Sequence, residues 1–192
     1  MDMPTLGAKI PVISPEGPTV AVIGCGPAGM FFLRQLELER SRLEAQLSLG
    51  EPTEAEAEAR LRALPRPTVY EKDSRCGGLW QSKSMKSNEQ GVEGEGIYDG
   101  MWINAPKEIF EFADYTFDEH FGKPMPSYIT RPDVLGYIEG ATKDAIEYHT
   151  NAGSILFEEQ VEWIDFNETT KKFSVDAVFT GTCVCFSHCV DL

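Results

Sequence analysis

Gly24, Gly26 and Gly29 stand at the G-x-G-x-x-G spacing directly after the apolar run Val20-Ala21-Val22-Ile23. The chemistry this pattern serves is holding a pyrophosphate rather than breaking a bond. The first glycine makes a tight turn, the second lets phosphate reach the backbone, and the third lets the next helix pack on the strand. The helix N-terminus then offers free N–H groups and the positive end of its dipole to the phosphates. A strand before and a helix after separate this from a simple glycine-rich turn. Together they predict a dinucleotide-binding βαβ unit whose first strand is buried on both faces.

Glu71 is the carboxylate that could take a ribose, closing the expected short strand Thr68-Val69-Tyr70. Such an acid accepts from two sugar hydroxyls and repels a 2′-phosphate, which selects FAD or NAD over NADP at this first site. It normally follows the glycine loop by about 20 residues, whereas an acidic insertion intervenes here. Glu44 stands at the ordinary distance but inside a helical pattern, so Glu71 is preferred.

Immediately beyond runs KDSRCGGLW, Lys72 to Trp80. Its paired glycines, Gly77 and Gly78, admit a phosphate or a flavin to the backbone beside the flat face of Trp80. The same residues also read as a glycine turn with a core tryptophan. Cys183, Cys185, His188 and Cys189 form a C-x-C-x-x-H-C cluster of soft-metal ligand types. The spacing matches no common zinc module, so no metal site is expected. With Cys25 and Cys76 the cysteines number 5, an odd count that without a secretory leader does not describe a disulfide framework. The expected location is reducing and cytoplasmic.

The chain that must position these groups has 192 residues, 42% hydrophobic and 25% charged, an ordinary globular balance with room for a sizeable core. A formal charge of −14 repels nucleic acid and anionic membrane surfaces. No segment approaches the roughly 20 apolar residues that span a bilayer, and the N-terminus lacks a signal-peptide pattern.

Residues 1–17 read as a proline-bearing lead-in, 18–180 as the nucleotide-binding domain, and 181–192 as an atypical tail. Within the domain, Met30 to Leu49 reads as the glycine-loop helix. Gly50-Glu51-Pro52 breaks it, and a Thr53-x-x-Glu56 capping box starts a second, acidic helix to about Leu64. This makes residues 40–66 a solvated helical insertion. The stretch 81–100 reads as a covering loop, and the aromatics at 110, 112, 115, 117 and 121 as mostly core. Thr130, Pro132 and Asp133 start another helix, and strands follow at Ile155–Phe157, Val161–Phe166 and Lys172–Val178.

In order, GCGPAG, YEKDSRCGGLW and MWINAPKE resemble the FAD half of flavin-containing monooxygenases, and NAPKEIFEFADYTFDEHFGKPMPSY is especially similar to the trimethylamine monooxygenase branch. The likeness runs from about Val20 to Val178. It implies an α/β fold: a Rossmann-like FAD-binding domain with a parallel sheet, a helical insertion and a β-hairpin or meander, truncated relative to the two-domain family fold. Gly24, Gly26, Ala28 and Gly29 would cradle the FAD pyrophosphate, and Glu71 would bind the ribose. Asp73, Gly78, Leu79 and Trp80 would line the cofactor, with the backbone of Val161 at the adenine. Trp102 and Asn104 would lie where flavin and nicotinamide meet, Asn104 being the catalytic candidate. The residues themselves leave Trp102 open as core packing and Asn104 as a turn cap before Ala105-Pro106.

The family's chemistry follows from the resemblance: NADPH reduces FAD, O2 adds to form a C4a-hydroperoxide, and its distal oxygen passes to a soft amine or sulfide. An amide such as Asn104 can donate to flavin and accept from nicotinamide without supplying a stray proton. The resemblance leaves a homodimer open for the full-length form. There are departures. A polar contact that relatives make, often from histidine, falls near Gly94, and the chain stops before the family's second glycine motif, which holds NADPH, and its F-x-G-x-x-x-H stretch. The competing expectation is therefore a truncated, non-catalytic FAD-binding remnant. Disulfide reductases need a redox cysteine pair shortly after the paired glycines, and amine oxidases a basic residue where Leu79-Trp80 stands, so both fall behind.

Overall fold

The computed structural model describes residues 17–49, 54–81, 100–181 and 189–191. The lead-in before Gly17, Thr53 of the capping box, the covering loop with Gly94, and Cys183, Cys185 and His188 lie outside the described residues.

β1 (Thr19–Ile23) leads through the glycine corner into α1 (Pro27–Leu49), and β2 (Arg66–Glu71) returns parallel to β1 from Thr19↔Arg66 to Ile23↔Tyr70. The apolar run does form a strand, but the expectation that it is buried on both faces is corrected. β1 is at best half-buried, and Ile23 is 50% exposed. The reason is sheet order among the described residues: β2 is central, with β1 and β3 (Ile155–Phe157) flanking it, so burial concentrates on β2 at Pro67, Val69, Tyr70 and Glu71, with Ile155 beside them on β3. Pro67 sits inside β2 without disrupting it. Its missing N–H would point toward β3, whose pairing begins only at Val69↔Ile155.

α1 lays Gly29, Met30, Leu33 and Leu36 into the main core. Two turns further on, Leu43 meets Ala57 and Leu61 of α2 (Glu54–Arg62) in a small separate cluster, which leaves the rest of α2 solvated. Two polar ties fix α1 to the long helix α4 (Arg131–Asn151). Arg34 Nε donates to the Ala141 carbonyl at 3.0 Å, and His149 Nε2 lies 3.1 Å from Glu37 Oε1, both side chains buried.

The aromatic segment packs against α1 through Phe31 and Arg34 and against α4 through Tyr137. Tyr137 is its hub: its ring stacks on Phe117 at 3.9 Å, its hydroxyl donates to the Tyr115 carbonyl at 2.6 Å, and it accepts from Phe112 N–H at 2.9 Å. Phe117 is fully buried, whereas Phe110 faces solvent. The one-turn helix α3 (Phe117–Phe121) was not expected. Its Thr116-x-x-Glu119 capping box is formed on both sides, and that pattern is legible in the sequence. At α4 the expected cap differs. The Thr130 hydroxyl donates to Asp133 Oδ2 at 2.6 Å instead of accepting a backbone N–H.

A second, antiparallel sheet, β4 (Glu159–Asn167), β5 (Lys172–Phe179) and β6 (Cys189–Asp191), pairs in that order. Its β4–β5 turn is held by Asn167 Oδ1, which accepts from the N–H groups of Thr169 and Thr170. β6 comes from the stretch read as a tail and pairs with β5 from Ser174↔Asp191 to Asp176↔Cys189.

Candidate functional site

The glycine corner forms because the β1–β2 ladder runs one residue past β1. Gly24 N–H donates to the Tyr70 carbonyl at 2.8 Å, and α1 then begins with Met30 N–H on the Gly26 carbonyl at 2.9 Å. Gly29 is required by close approach, since a Cβ there would lie 2.3 Å from the Gly24 oxygen. Across the corner, Gly78 in the 3₁₀ turn Gly78–Trp80 adopts φ 54° and faces Gly26, so that its own Cβ would stand 3.1 Å from the Gly26 Cα. Two backbones thus converge with no side chain between them, beside the N-terminus of a 23-residue helix.

Glu71 is 4% exposed, and its carboxylate braces this corner. Oε2 accepts from Cys25 N–H at 2.6 Å and Oε1 from Asp73 N–H at 2.8 Å. Each oxygen keeps a second lone pair for another donor. Glu44, the rival, lies about 25 Å of helix from the start of α1 and lines no part of the corner.

A cavity of about 280 Å³ opens on the corner, and Gly24, Gly26, Glu71, Asp73, Gly78, Leu79 and Val161 all line it. Of the other residues expected there, Ala28 is exposed in the first turn of α1, Gly29 is buried behind the loop, and Trp80 packs against the core. The structure adds Tyr70 and the first residues of β4, Glu159 and Gln160. Tyr70 is 4% exposed, and its hydroxyl is buried with no hydrogen-bond partner. Burial, and then the charge of Glu159, push its pKa up, so it stays a protonated donor. Nothing local marks Glu159, which arrives through the sheet. With Glu71, Asp73 and Glu159 against one lysine, Lys72, the lining suits sugar hydroxyls and disfavours an additional phosphate.

Trp102 and Asn104 are placed elsewhere. Trp102 bridges to Thr130 and is 58% exposed; Asn104 is exposed too, and neither lines this cavity. Their strand-like stretch is held by Ile103 N–H on the Ile129 carbonyl at 3.0 Å and by buried Lys107, whose Nζ lies 2.9 Å from Asp118 Oδ1.

One cysteine expectation is corrected. Cys25 and Cys76 are joined by a disulfide with Cα atoms 4.8 Å apart, although 51 residues separate them. The parallel pairing of β1 with β2 brings the loops after both strands together, which spacing in the sequence does not reveal. Among the described residues no group of three or more His, Cys, Asp or Glu is placed to hold a metal, and no helix is long and apolar enough to cross a membrane.

A glycine cradle, a helix N-terminus, free lone pairs on Glu71 and an orphaned buried hydroxyl fit the adenosine and diphosphate part of a dinucleotide such as FAD. The cavity is the size of a nucleoside rather than of the whole cofactor. Comparison with known proteins points the same way. Residues 61–191 match the family described as flavin-binding monooxygenase-like. Trimethylamine monooxygenase of Methylocella silvestris is 37% identical over 159 residues, 81% of this chain and 30% of the relative. The crystal structure of Tmm from a Pelagibacter species superposes with a TM-score of 0.58 at 30% identity, covering 84% of this chain and 32% of that one. S-allyl-L-cysteine S-oxygenase from Allium sativum shares the fold, with a TM-score of 0.55 at 21% identity. The chain spans about a third of the length of these relatives.

Proposed function

The chain belongs to the flavin-binding monooxygenase-like family, and from that premise we propose that it is the FAD-binding part of an NADPH-dependent flavin monooxygenase acting on soft nitrogen or sulfur nucleophiles such as trimethylamine. The observation that carries the reading is the convergence of Gly24, Gly26, Glu71, Asp73, Gly78, Leu79 and Val161, from four separate stretches of chain, on one cavity.

When bound, FAD supplies the redox chemistry, taking hydride from NADPH and activating O2. The chain's own residues bind and orient. Backbone at Gly24–Gly29 and at Gly78 holds the diphosphate, helped by the α1 dipole. The remaining lone pairs of Glu71 accept from ribose hydroxyls, and the backbone at Val161 meets the adenine. Asp73 and Leu79 line the cofactor at this cavity, and Trp80, packed against the core, would line it only beyond the cavity. Asn104 is the residue proposed at the reacting end, where its amide both donates and accepts while its neutrality avoids a stray proton, and Trp102 shields that end from water.

The exposure of Trp102 and Asn104 favours a second reading, a chain that binds FAD without turning over. One experiment separates the two. Residues 1–192 are expressed, desalted and examined by visible absorption before and after NADPH. Flavin bands that bleach support the monooxygenase, bands that persist support the binding module, and no bands contradict both.

A further inference from the structure

The wall of the cofactor cradle contains a bond that the proposed reaction does not use. Cys25 lies between Gly24 and Gly26, and Cys76 directly precedes Gly77 and Gly78. Their disulfide therefore ties together the two loops whose glycines face each other across the cavity. The tie is backed on each side. Gly77 N–H donates to the Cys25 carbonyl at 2.8 Å, Glu71 receives the Cys25 N–H, and the Gln81 amide donates to the Cys76 carbonyl and to Glu139. Loops this rich in glycine have little stiffness of their own, so the cross-link removes freedom that a bound dinucleotide would otherwise have to remove.

The two cysteines differ in exposure. Cys25 is 0% exposed, whereas Cys76 is 8% exposed and lines a second cavity of about 330 Å³ shared with Met30, Arg75, Glu139, Lys143 and Glu147. Its charges, two of each sign, select against neither an anionic nor a neutral small thiol.

We propose that Cys25–Cys76 is a thiol-exchange site, opened by a small dithiol and closed by a small disulfide, and that the opened form grips the dinucleotide less tightly. The second half rests on the FAD reading given above. In the opening direction a thiolate of the dithiol attacks Cys76 Sγ; the Cys25–Cys76 bond breaks, a mixed disulfide forms at Cys76, and Cys25 leaves as thiolate and takes a proton. The second thiol of the reagent then displaces Cys76, which is protonated in turn. The protein has gained two electrons and two protons, and the dithiol has become a cyclic disulfide. Closing is the reverse exchange with a disulfide such as oxidised glutathione.

The test uses the full chain with Cys183, Cys185 and Cys189 changed to serine, prepared without reductant, and the unchanged chain beside it. Peptide mapping without reduction is expected to show Cys25 linked to Cys76, the link lost in dithiothreitol under native conditions and restored by oxidised glutathione. The FAD dissociation constant, read by flavin fluorescence, is expected to rise roughly tenfold on reduction, and Cys76→Ser to hold the weaker value with or without dithiothreitol. Absence of the linked peptide, its persistence in dithiothreitol, or one dissociation constant in both redox states overturns the proposal. If neither state binds FAD, the FAD reading fails on its own. The exchange site is then judged by amide hydrogen exchange at residues 24–26 and 77–78: faster exchange on reduction sustains it, and equal rates refute it.

Discussion

The glycine corner and the stretch around Trp102 and Asn104 are both proposed to meet the cofactor, yet they are enclosed to different degrees. At the corner, two strand ends, a helix N-terminus and a 3₁₀ turn close on a cavity, and the key acid is buried with both oxygens engaged. Around Trp102 the backbone is well tied to Ile129 and Arg131, but the side chains assigned to chemistry point to solvent. The difference follows from what each task needs. A diphosphate is held by backbone groups that a single βαβ unit already supplies. A dry reaction site needs walls on several sides.

The comparison breaks most readily at the corner. Gly29→Ala drives a Cβ into the Gly24 oxygen and is expected to cost about 3 kcal/mol together with all retained flavin, seen as a lower melting temperature and a colourless protein. A Gly29→Ala chain that keeps both would mean that the corner does not hold the phosphates. Glu71→Gln leaves one of two backbone N–H groups facing an amide NH2, with an expected loss of about 2 kcal/mol by urea unfolding and weaker FAD binding. Tyr70→Phe sharpens the contrast because its two effects have opposite signs. Deleting a buried, unpartnered hydroxyl should stabilise the ligand-free chain by about 1 kcal/mol while weakening nucleotide binding; a loss of stability would show that the hydroxyl is already satisfied.

Across the comparison, Trp102→Ala and Asn104→Ala alter exposed groups. Each is expected to change stability by less than about 0.5 kcal/mol and to leave flavin retention after desalting intact. The smallest effect is on acid stability. The bond from the Met125 backbone N–H, then that from the Lys107 side-chain ammonium, lowers the Asp118 pKa, and bonds from Thr116 lower that of Glu119. Burial lowers that of His120. In all three the unfolded chain binds protons more readily, so stability is present above the unfolded pKa values and is lost as pH falls through the folded ones. Melting curves from pH 7 downward should lose stability first as His120 is charged and then as the carboxylates are; a flat profile would contradict these bonds.

Much of this was legible in the sequence wherever a residue's job is local. The glycine spacing fixed the corner, Glu71 closed its strand as read, and the helix after Thr130 begins where Pro132 and Asp133 say it does. What escaped is set by pairing between distant stretches. Among the described residues β1 lies at the edge because β2 takes the centre, Cys25 finds Cys76 only through that pairing, and Glu159 enters the cavity only because β4 follows β3. The Thr116–Glu119 cap is legible in the sequence, although it lies among aromatics that read as core.

The claim that the corner holds the adenosine diphosphate end of a dinucleotide is tested most directly by titrating the isotope-labelled chain with ADP and following backbone amide shifts. Saturable changes at Gly24, Gly26, Gly78 and Val161, with Trp102 and Asn104 unmoved, are the predicted result. Changes centred on Trp102 to Lys107, or none at the corner, would contradict it.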